Sequence, residues 1–429
     1  MPRGHLTEPA IDSWTPAEGT FTFDMQPHSA DRRATPVRRA KRGVTAAFIA
    51  HGLVFSSWAA HIPRVKDELG LSDAALGTAL FGAPLGSVVA TLASHWALRR
   101  WGSHRLIPVM VAGYAVAGTT VGLAKSGAAL FGALALWGTF QGALDVAMNT
   151  QAATVERAAR APIMARFHGM WSVGTLVGAV IGAACVGAGI GLTAQLTVLG
   201  AVVLIVVGTL TRRLIPDAAD DSDASSGPTP QGRRAWMTPT VAILAAVSFA
   251  SFLCEGAATD WSANYLRNVV GAGPSVSALS YAAYTLTMVI TRFGAPRLHA
   301  RVPSRRLLPA LAVVAVAGMS VTLATANAAV GVLGFAALGV GVALLVPTAF
   351  SAAYGASEAG SAIAIVAATG WLGYLLGPPL IGHLSGWVGL SAALATIPVM
   401  MSIVGIAIRY NPAFDKADEF HRDVATPAG

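Results

Sequence analysis

The sequence predicts an all-α integral membrane protein: twelve transmembrane helices arranged as two pseudo-symmetric six-helix lobes. Three observations lead there. Hydrophobic residues make up 54% of the 429 positions and charged residues only 12%. The apolar content is spread along the chain in runs of about 20 residues, the length that crosses roughly 30 Å of hydrocarbon. The second half also repeats the first: Trp58, Arg64, Ser72 and Leu76 match Trp261, Arg267, Ser275 and Leu279 at a constant offset of 203.

The first lobe, 43–213, holds spans near 44–62, 73–98, 105–124, 128–151, 162–188 and 191–211. The second, 238–410, holds spans near 238–262, 276–297, 305–325, 328–353, 360–386 and 390–409. Span one ends in the Trp58 to Arg64 segment, and span seven ends in its repeat, Trp261 to Arg267. Spans two and eight are closed by basic clusters, with Arg100, Ser103 and Arg105 matching Arg301, Ser304 and Arg306 at an offset of 201. Spans five and eleven match through Trp171, Ile181 and Gly182 against Trp371, Ile381 and Gly382 at an offset of 200. Span five places Gly174, Gly178 and Gly182 on one face, and span eleven carries Gly373, Gly377, Pro378, Pro379 and Gly382. Small residues let helices approach closely in lipid, where no hydrophobic force draws them together.

The net charge of +8 could suggest nucleic acid, but its distribution excludes that reading. Arg and Lys cluster before span one and after spans two, four, six and eight, whereas the alternate loops hold only Arg64, Lys66, Lys125 and Arg267. That asymmetry is the orientation signal of a membrane protein. It predicts a multi-pass protein of the cell (inner or plasma) membrane with both termini cytoplasmic. Residues 1–42, charged and proline-containing, read as a disordered cytoplasmic arm; 214–237, rich in Asp, Ser, Pro and Gly, as a cytoplasmic linker; and 411–429 as a cytoplasmic tail. The two cysteines, Cys185 and Cys254, fall inside spans and imply neither a disulfide framework nor a metal cluster. No Walker loop, Cys/His metal spacing or nucleophile elbow is present, which argues against an enzyme or a primary pump and calls for no cofactor.

Duplicated halves place a binding site near the membrane midplane between them. Polar residues within spans are the candidates to line it, because an ionisable group in a span is costly unless it faces a wet cavity or a partner. In the fourth span Gln141, Asp145 and Asn149 are four residues apart and share one helix face. Glu255 in the seventh span and His51 in the first could exchange a proton, or could be structural groups satisfied by neighbouring hydroxyls and backbone. Asp260, nearer the end of the seventh span, reads as a solvated or capping residue. His168, Trp171 and Trp371 offer aromatic faces beside polar groups, suited to a sugar ring and equally to packing. Apart from Arg292, no Lys or Arg lies well inside a span, which disfavours an anionic solute.

The twelve-span, two-lobed arrangement resembles the major facilitator superfamily over about 43–410. The 95–105 loop, HWALRRWGSHR, resembles the signature after that family's second helix at Arg100 and Gly102, with Arg99 where the family has Asp. This resemblance implies a cytoplasmic latch of Arg100 with Glu156 and Arg301 with Glu358. The fourth-span segment 141–151, QGALDVAMNTQ, is similar to the fucose-permease branch, in which an acid precedes an asparagine by four residues. It implies proton coupling at Asp145 and solute binding at Asn149. The usual carboxylate of that branch's first span is replaced here by His51. The segments 167–174 and 255–266 look closer to a bacterial inner-membrane subfamily within the branch.

The expectation is therefore a secondary transporter working by alternating access, a monomer that symports protons with a small neutral polar, sugar-like solute. Proton coupling is assigned to Asp145, Glu255 and His51, and solute binding to Gln141, Asn149, His168, Trp171 and Trp371. Proton-driven export of drugs or metabolites is the alternative: Gly174, Gly178 and Gly182 fit the three glycines of the exporters' fifth-helix pattern, although Ala179 stands where that pattern has proline. A non-transporting membrane sensor is the third class.

Overall fold

The computed structural model describes residues 29–160, 163–217, 238–354, 359–415 and 417–418, and these form helices joined by turns, with no strand among them. The first lobe comprises α1 (Ser29–Ala59), α2 (Ile62–Glu68), α3 (Asp73–Leu80), α4 (Gly82–Trp101), α5 (Ser103–Val121), α6 (Gly127–Ala159), α7 (Met164–Gly187) and α8 (Leu192–Thr211). The second comprises α9 (Pro239–Asn268), α10 (Pro274–Arg301), α11 (Ser304–Thr325), α12 (Ala328–Val342), α13 (Leu345–Tyr354), α14 (Ala359–Val388), α15 (Leu390–Leu394) and α16 (Thr396–Tyr410). A 3-10 turn, Pro412–Phe414, follows.

Twelve crossings emerge from these helices. Among the described residues nine stretches are long and apolar enough to span, and α1 with α2, bent by 47°, makes a tenth. The bend falls where Pro63 near the start of α2 lacks an N–H to continue the ladder. Helices α5 and α10, of 19 and 28 residues, supply the other two crossings; α10 is less apolar because it carries Tyr281, Tyr284, Thr285 and Arg292. Side chains close several helix starts: Ser72 accepts from the Ala75 N–H, Ser126 from Ala129 and Thr238 from Val241.

The duplication read from sequence is also a duplication of packing. In the first lobe α1 lies on α7, α4 on α6, and α5 on both α6 and α8. In the second, α9 lies on α14, α10 on α12, and α11 on both α12 and α16. The lobes meet through α3 against α14 and α7 against α10, the same pair of spans taken from opposite halves. Close approach is made by small residues. Gly174, Gly178 and Gly182 set α7 directly against the carbonyls of Ile49, Leu53 and Ser57 in α1, with no room for a side chain at any of the three. Between lobes, Gly77 meets the Pro378 carbonyl and Gly382, and Gly187 meets Ser275.

Helical structure extends into regions read as loops. The arm expected over 1–42 is helical from Ser29 onward, and Ala40 is buried against the core. The reason is packing: Ala40, Val44, Ala47 and Phe48 continue one apolar stripe through the basic cluster. Residues 1–28 and 218–237 lie outside the described residues, as do 416 and 419–429 of the tail. The described ends of linker and tail are fixed by carboxylates. Asp217 accepts from the Ser103 N–H and hydroxyl at the start of α5, and Asp418 accepts from the Ser304 N–H and hydroxyl at the start of α11.

Candidate functional site

Helix α6, packed among α1, α3, α4 and α5 of the first lobe, carries the polar face anticipated from sequence. Gln141, Asp145 and Asn149 are all half-buried on it. The Asn149 amide donates to the Asp145 backbone carbonyl at 2.8 Å and to its carboxylate Oδ1 at 3.3 Å. Acid and amide thus form one unit, one turn apart, with a carboxylate oxygen left over.

Helix α1 brings His51 to this face. The ring is 6% exposed and lies flat against Tyr114 of α5 at 5.8 Å between centroids; Tyr114 in turn stacks on Trp137 of α6 at 5.5 Å. From α7, the Trp171 indole Nε1 donates to His51 Nδ1 at 3.0 Å. Asp145 lies within electrostatic reach of His51 and of His168, which is exposed and sits edge-on to Phe48 at 5.3 Å. The structure therefore draws Asp145, Asn149, His51, His168 and Trp171 into one constellation. The contact of Trp171 with His51, 120 residues apart, was invisible in sequence because it depends on the glycine-mediated seating of α7 on α1.

The second lobe answers with Glu255, half-buried on α9, within the field of Arg292 from α10. Arg292 donates through Nε to the Ala343 carbonyl at 3.2 Å and is also felt at His168 across the lobe boundary. Tyr281 stacks on Tyr284 at 6.1 Å. Trp371, the repeat partner of Trp171, is 49% exposed and packs on Phe252 and Tyr374 rather than on a histidine. Asp260 departs from its sequence reading as a solvated residue: it is 6% exposed, turned inward on α9.

The latch residues are placed differently from expectation. Arg100 and Arg301 are exposed. Glu156 receives the N–H groups of Ile163 and Met164 at the start of α7, so its carboxylate is engaged by backbone and is not paired with Arg100 in this structure. Glu358 lies outside the described residues.

Polar groups that join the lobes occur instead at the arginine-poor end. Asp73 pairs with Lys66 at 2.5 Å, accepts from Asn264 of α9 at 3.4 Å, and accepts a short hydrogen bond from Ser385 of α14. Asn268 donates to Asn264 at 2.6 Å and extends the network. Sequence reasoning singled out neither Asp73 nor Ser385; Asn264 appeared only as a member of the repeated segment.

The sequence profile of the Major Facilitator Superfamily matches residues 44–357. Among curated proteins, an uncharacterized transporter of Sinorhizobium fredii is 32% identical over 369 residues, spanning 85% of this chain and 94% of its own. Membrane protein MosC of Rhizobium meliloti is 30% identical over 362 residues, 84% of this chain and 87% of that protein. An uncharacterized MFS-type transporter of Yersinia pestis is 29% identical over 367 residues, 85% of this chain and 93% of that protein. Two solved structures share the fold at low identity. The nucleoside transporter NupG superposes with a TM-score of 0.67 at 12% identity, over 86% of this chain and 98% of its own. The inward-facing, unoccupied bacterial homolog of the human lysosomal transporter Spinster gives 0.62 at 17% identity, over 92% and 99%. With a twelve-helix, two-lobed fold, a polar constellation on α1, α6 and α7 and a family match over most of its length, the chain belongs to the major facilitator superfamily: it is a multi-pass membrane transporter and not an enzyme.

Proposed function

We propose that this transporter couples a proton to the symport of a small neutral polar, sugar-like solute across the bacterial inner membrane. The observation that carries the reading is the Asp145 and Asn149 unit on α6, an acid with an uncommitted oxygen beside an amide, facing His51 and Trp171. Such an acid can take up a proton when the site is exposed to one side and release it on the other, while the amide and aromatic face hold a hydroxylated ring. The fourth-span resemblance to the fucose-permease branch supports the same assignment. Glu255 is the second coupling candidate. Gln141, Asn149, His168, Trp171 and Trp371 supply the binding surface.

The arginine-rich loops argue for cytoplasmic termini. With that orientation, the contacts that join the lobes around Asp73 at the opposite end support an inward-facing reading of this conformation. Export is the second reading, and the specific observation in its favour is the run Gly174, Gly178 and Gly182. The test is a panel of labelled hexoses, hexitols and hydrophobic cations presented to vesicles holding the purified protein and a pH-sensitive dye. Symport predicts acidification of the lumen on the side to which sugar moves. Alkalinisation during movement of a hydrophobic cation, with no sugar flux, would replace symport by exchange-driven export.

A further inference from the structure

The bond between Trp171 and His51 determines which of the histidine's nitrogens carries a proton. An indole N–H can only donate, so the Nδ1 that accepts it at 3.0 Å holds a lone pair. A neutral imidazole with Nδ1 unprotonated has its hydrogen on Nε2, and a doubly protonated ring could not accept at Nδ1 at all. Nε2 is buried and makes no hydrogen bond of good geometry; the acceptor that bears on the ring is the Gln141 backbone carbonyl on α6. The groups facing the ring are Tyr114 from α5, Trp171 from α7, and Gln141 and Asp145 from α6; Asp145 is the charged one among them. Its carboxylate is near enough to act on the ring and too far for a direct hydrogen bond. One carboxylate oxygen, Oδ1, is taken by Asn149.

A buried donor with only a poorly aligned backbone acceptor costs free energy that a better-placed ligand oxygen can return. We infer that His51 Nε2–H donates to a hydroxyl oxygen of the solute, whose own O–H donates a hydrogen bond to the Asp145 carboxylate, so that one hydroxyl bridges the two residues and Trp171 fixes the tautomer that makes this possible. A hydroxyl both donates and accepts, which is the pairing that a fixed donor opposite a carboxylate selects. An ether or a thioether accepts without donating, and an ammonium group donates without accepting. The inference rests on the sugar-like reading and deepens it: the site selects a free hydroxyl at one ring position. It also separates the roles of the three coupling candidates, leaving His51 to specificity and the coupled proton to Asp145 or Glu255.

The test uses the full-length protein in lipid nanodiscs with ¹⁵N-labelled histidine, the His51 resonances being assigned by their loss in His51→Gln. The expected result is an Nε2–H tautomer from pH 5 to pH 8 in the wild type, and in Trp171→Phe a ring that titrates or mixes tautomers over that range. An Nδ1–H or doubly protonated His51 in the wild type overturns the inference. Hexose and hexitol counterflow supplies the second arm. His51→Ala should weaken the half-saturating concentration about 10-fold, the scale of one lost hydrogen bond in a closed site. His51→Gln, whose amide nitrogen reaches the Nε2 position, should restore most of it. The deoxy analogue lacking the bridging hydroxyl should be transported equally by the wild type and His51→Ala. Sugar flux that is indifferent to His51→Ala overturns the inference alone, whereas absence of flux from the wild type overturns the sugar reading with it.

Discussion

Asp73, at the start of α3 in the first lobe, accepts a hydrogen bond from Ser385, near the end of α14 in the second. Asn264 of α9 adds a longer bond to the same carboxylate, and Lys66 neutralises it from the last turn of α2. The pair sits where Gly77 and Gly382 bring the two lobes into backbone contact. Helix α3 is thereby tied to the second lobe by one acid as well as by its glycine contact.

Removing that acid should release the closed end. Hydrogen bonds to a charged group are worth about 1.5–3 kcal/mol, and about 1.4 kcal/mol moves an equilibrium tenfold. Asp73→Ala is therefore expected to shift the population toward the state open at the arginine-poor end by roughly tenfold or more. Spin labels at Glu68 and Val269, in a background lacking Cys185 and Cys254, report the separation. An unchanged distance distribution in Asp73→Ala would show that the packed glycines alone hold this end shut.

A second pair of acids is related by the internal duplication. Asp217 and Asp418 stand at the same offset as the serines they bind, Ser103 and Ser304. Each ties the segment that leaves a lobe's last span back to the start of that lobe's third. Thr154 also donates to Asp217 at 3.2 Å. Asp217→Ala and Asp418→Ala should each lower stability by about 1.5–3 kcal/mol, since each leaves one helix N–H and a serine hydroxyl without their charged acceptor. Thermal unfolding of each variant in detergent checks this, and the double variant should show the sum because the sites lie in different lobes. A null effect of either substitution would mean that water replaces the acid at no cost.

These acids show where sequence reading ends. Ser103 and Ser304 were matched by their offset, yet Asp217 and Asp418 share that offset and passed unnoticed, because each lies beyond the last apolar run of its half, where charge reads as solvated. Spans are legible because lipid demands long apolar runs, and the Gln141, Asp145 and Asn149 face is legible because helix period alone brings residues four apart together. The contacts of Trp171 with His51 and of Asp73 with Ser385 are not, since helix pairing and lobe closure decide which faces meet. Glu156 is engaged elsewhere than at Arg100 in this conformation for a related reason: it lies seven residues before Ile163, and its carboxylate accepts the first N–H groups of α7.

Packing gives a third prediction through two glycines of contrasting surroundings. Gly178 faces the Leu53 carbonyl and the Ser56 hydroxyl, and that hydroxyl already donates to the Thr175 carbonyl at 2.7 Å. Gly132 has open space where a side chain would begin. Gly178→Val should force α7 off α1, with a loss of about 3 kcal/mol or more and a collapse of the monodisperse detergent peak. Gly132→Ala should be neutral or stabilising by up to about 1 kcal/mol, as alanine favours helix over glycine. Equal tolerance at both positions would refute the tight α1 and α7 contact.

The coupling assignment makes the last prediction. Asp145→Asn keeps a polar group of the same shape on α6 and can still hydrogen-bond with Asn149, but it has no proton to gain or lose in the physiological range. Its fold and its gradient-free exchange of solute should survive, while accumulation against a concentration gradient should fall to the equilibrium level. Glu255→Gln separates the two acids: if Glu255 holds Arg292 in place and carries no proton, its variant should keep uphill accumulation and lose stability. The measurement is uptake of labelled hexose into vesicles with and without an imposed pH gradient, beside exchange by the same variants without one. Wild-type accumulation by Asp145→Asn would remove this residue from the coupling path. Loss of both exchange and accumulation, with a lowered unfolding temperature, would instead make Asp145 a structural partner, because a carboxylate that only neutralises its neighbours is needed in every step of the cycle.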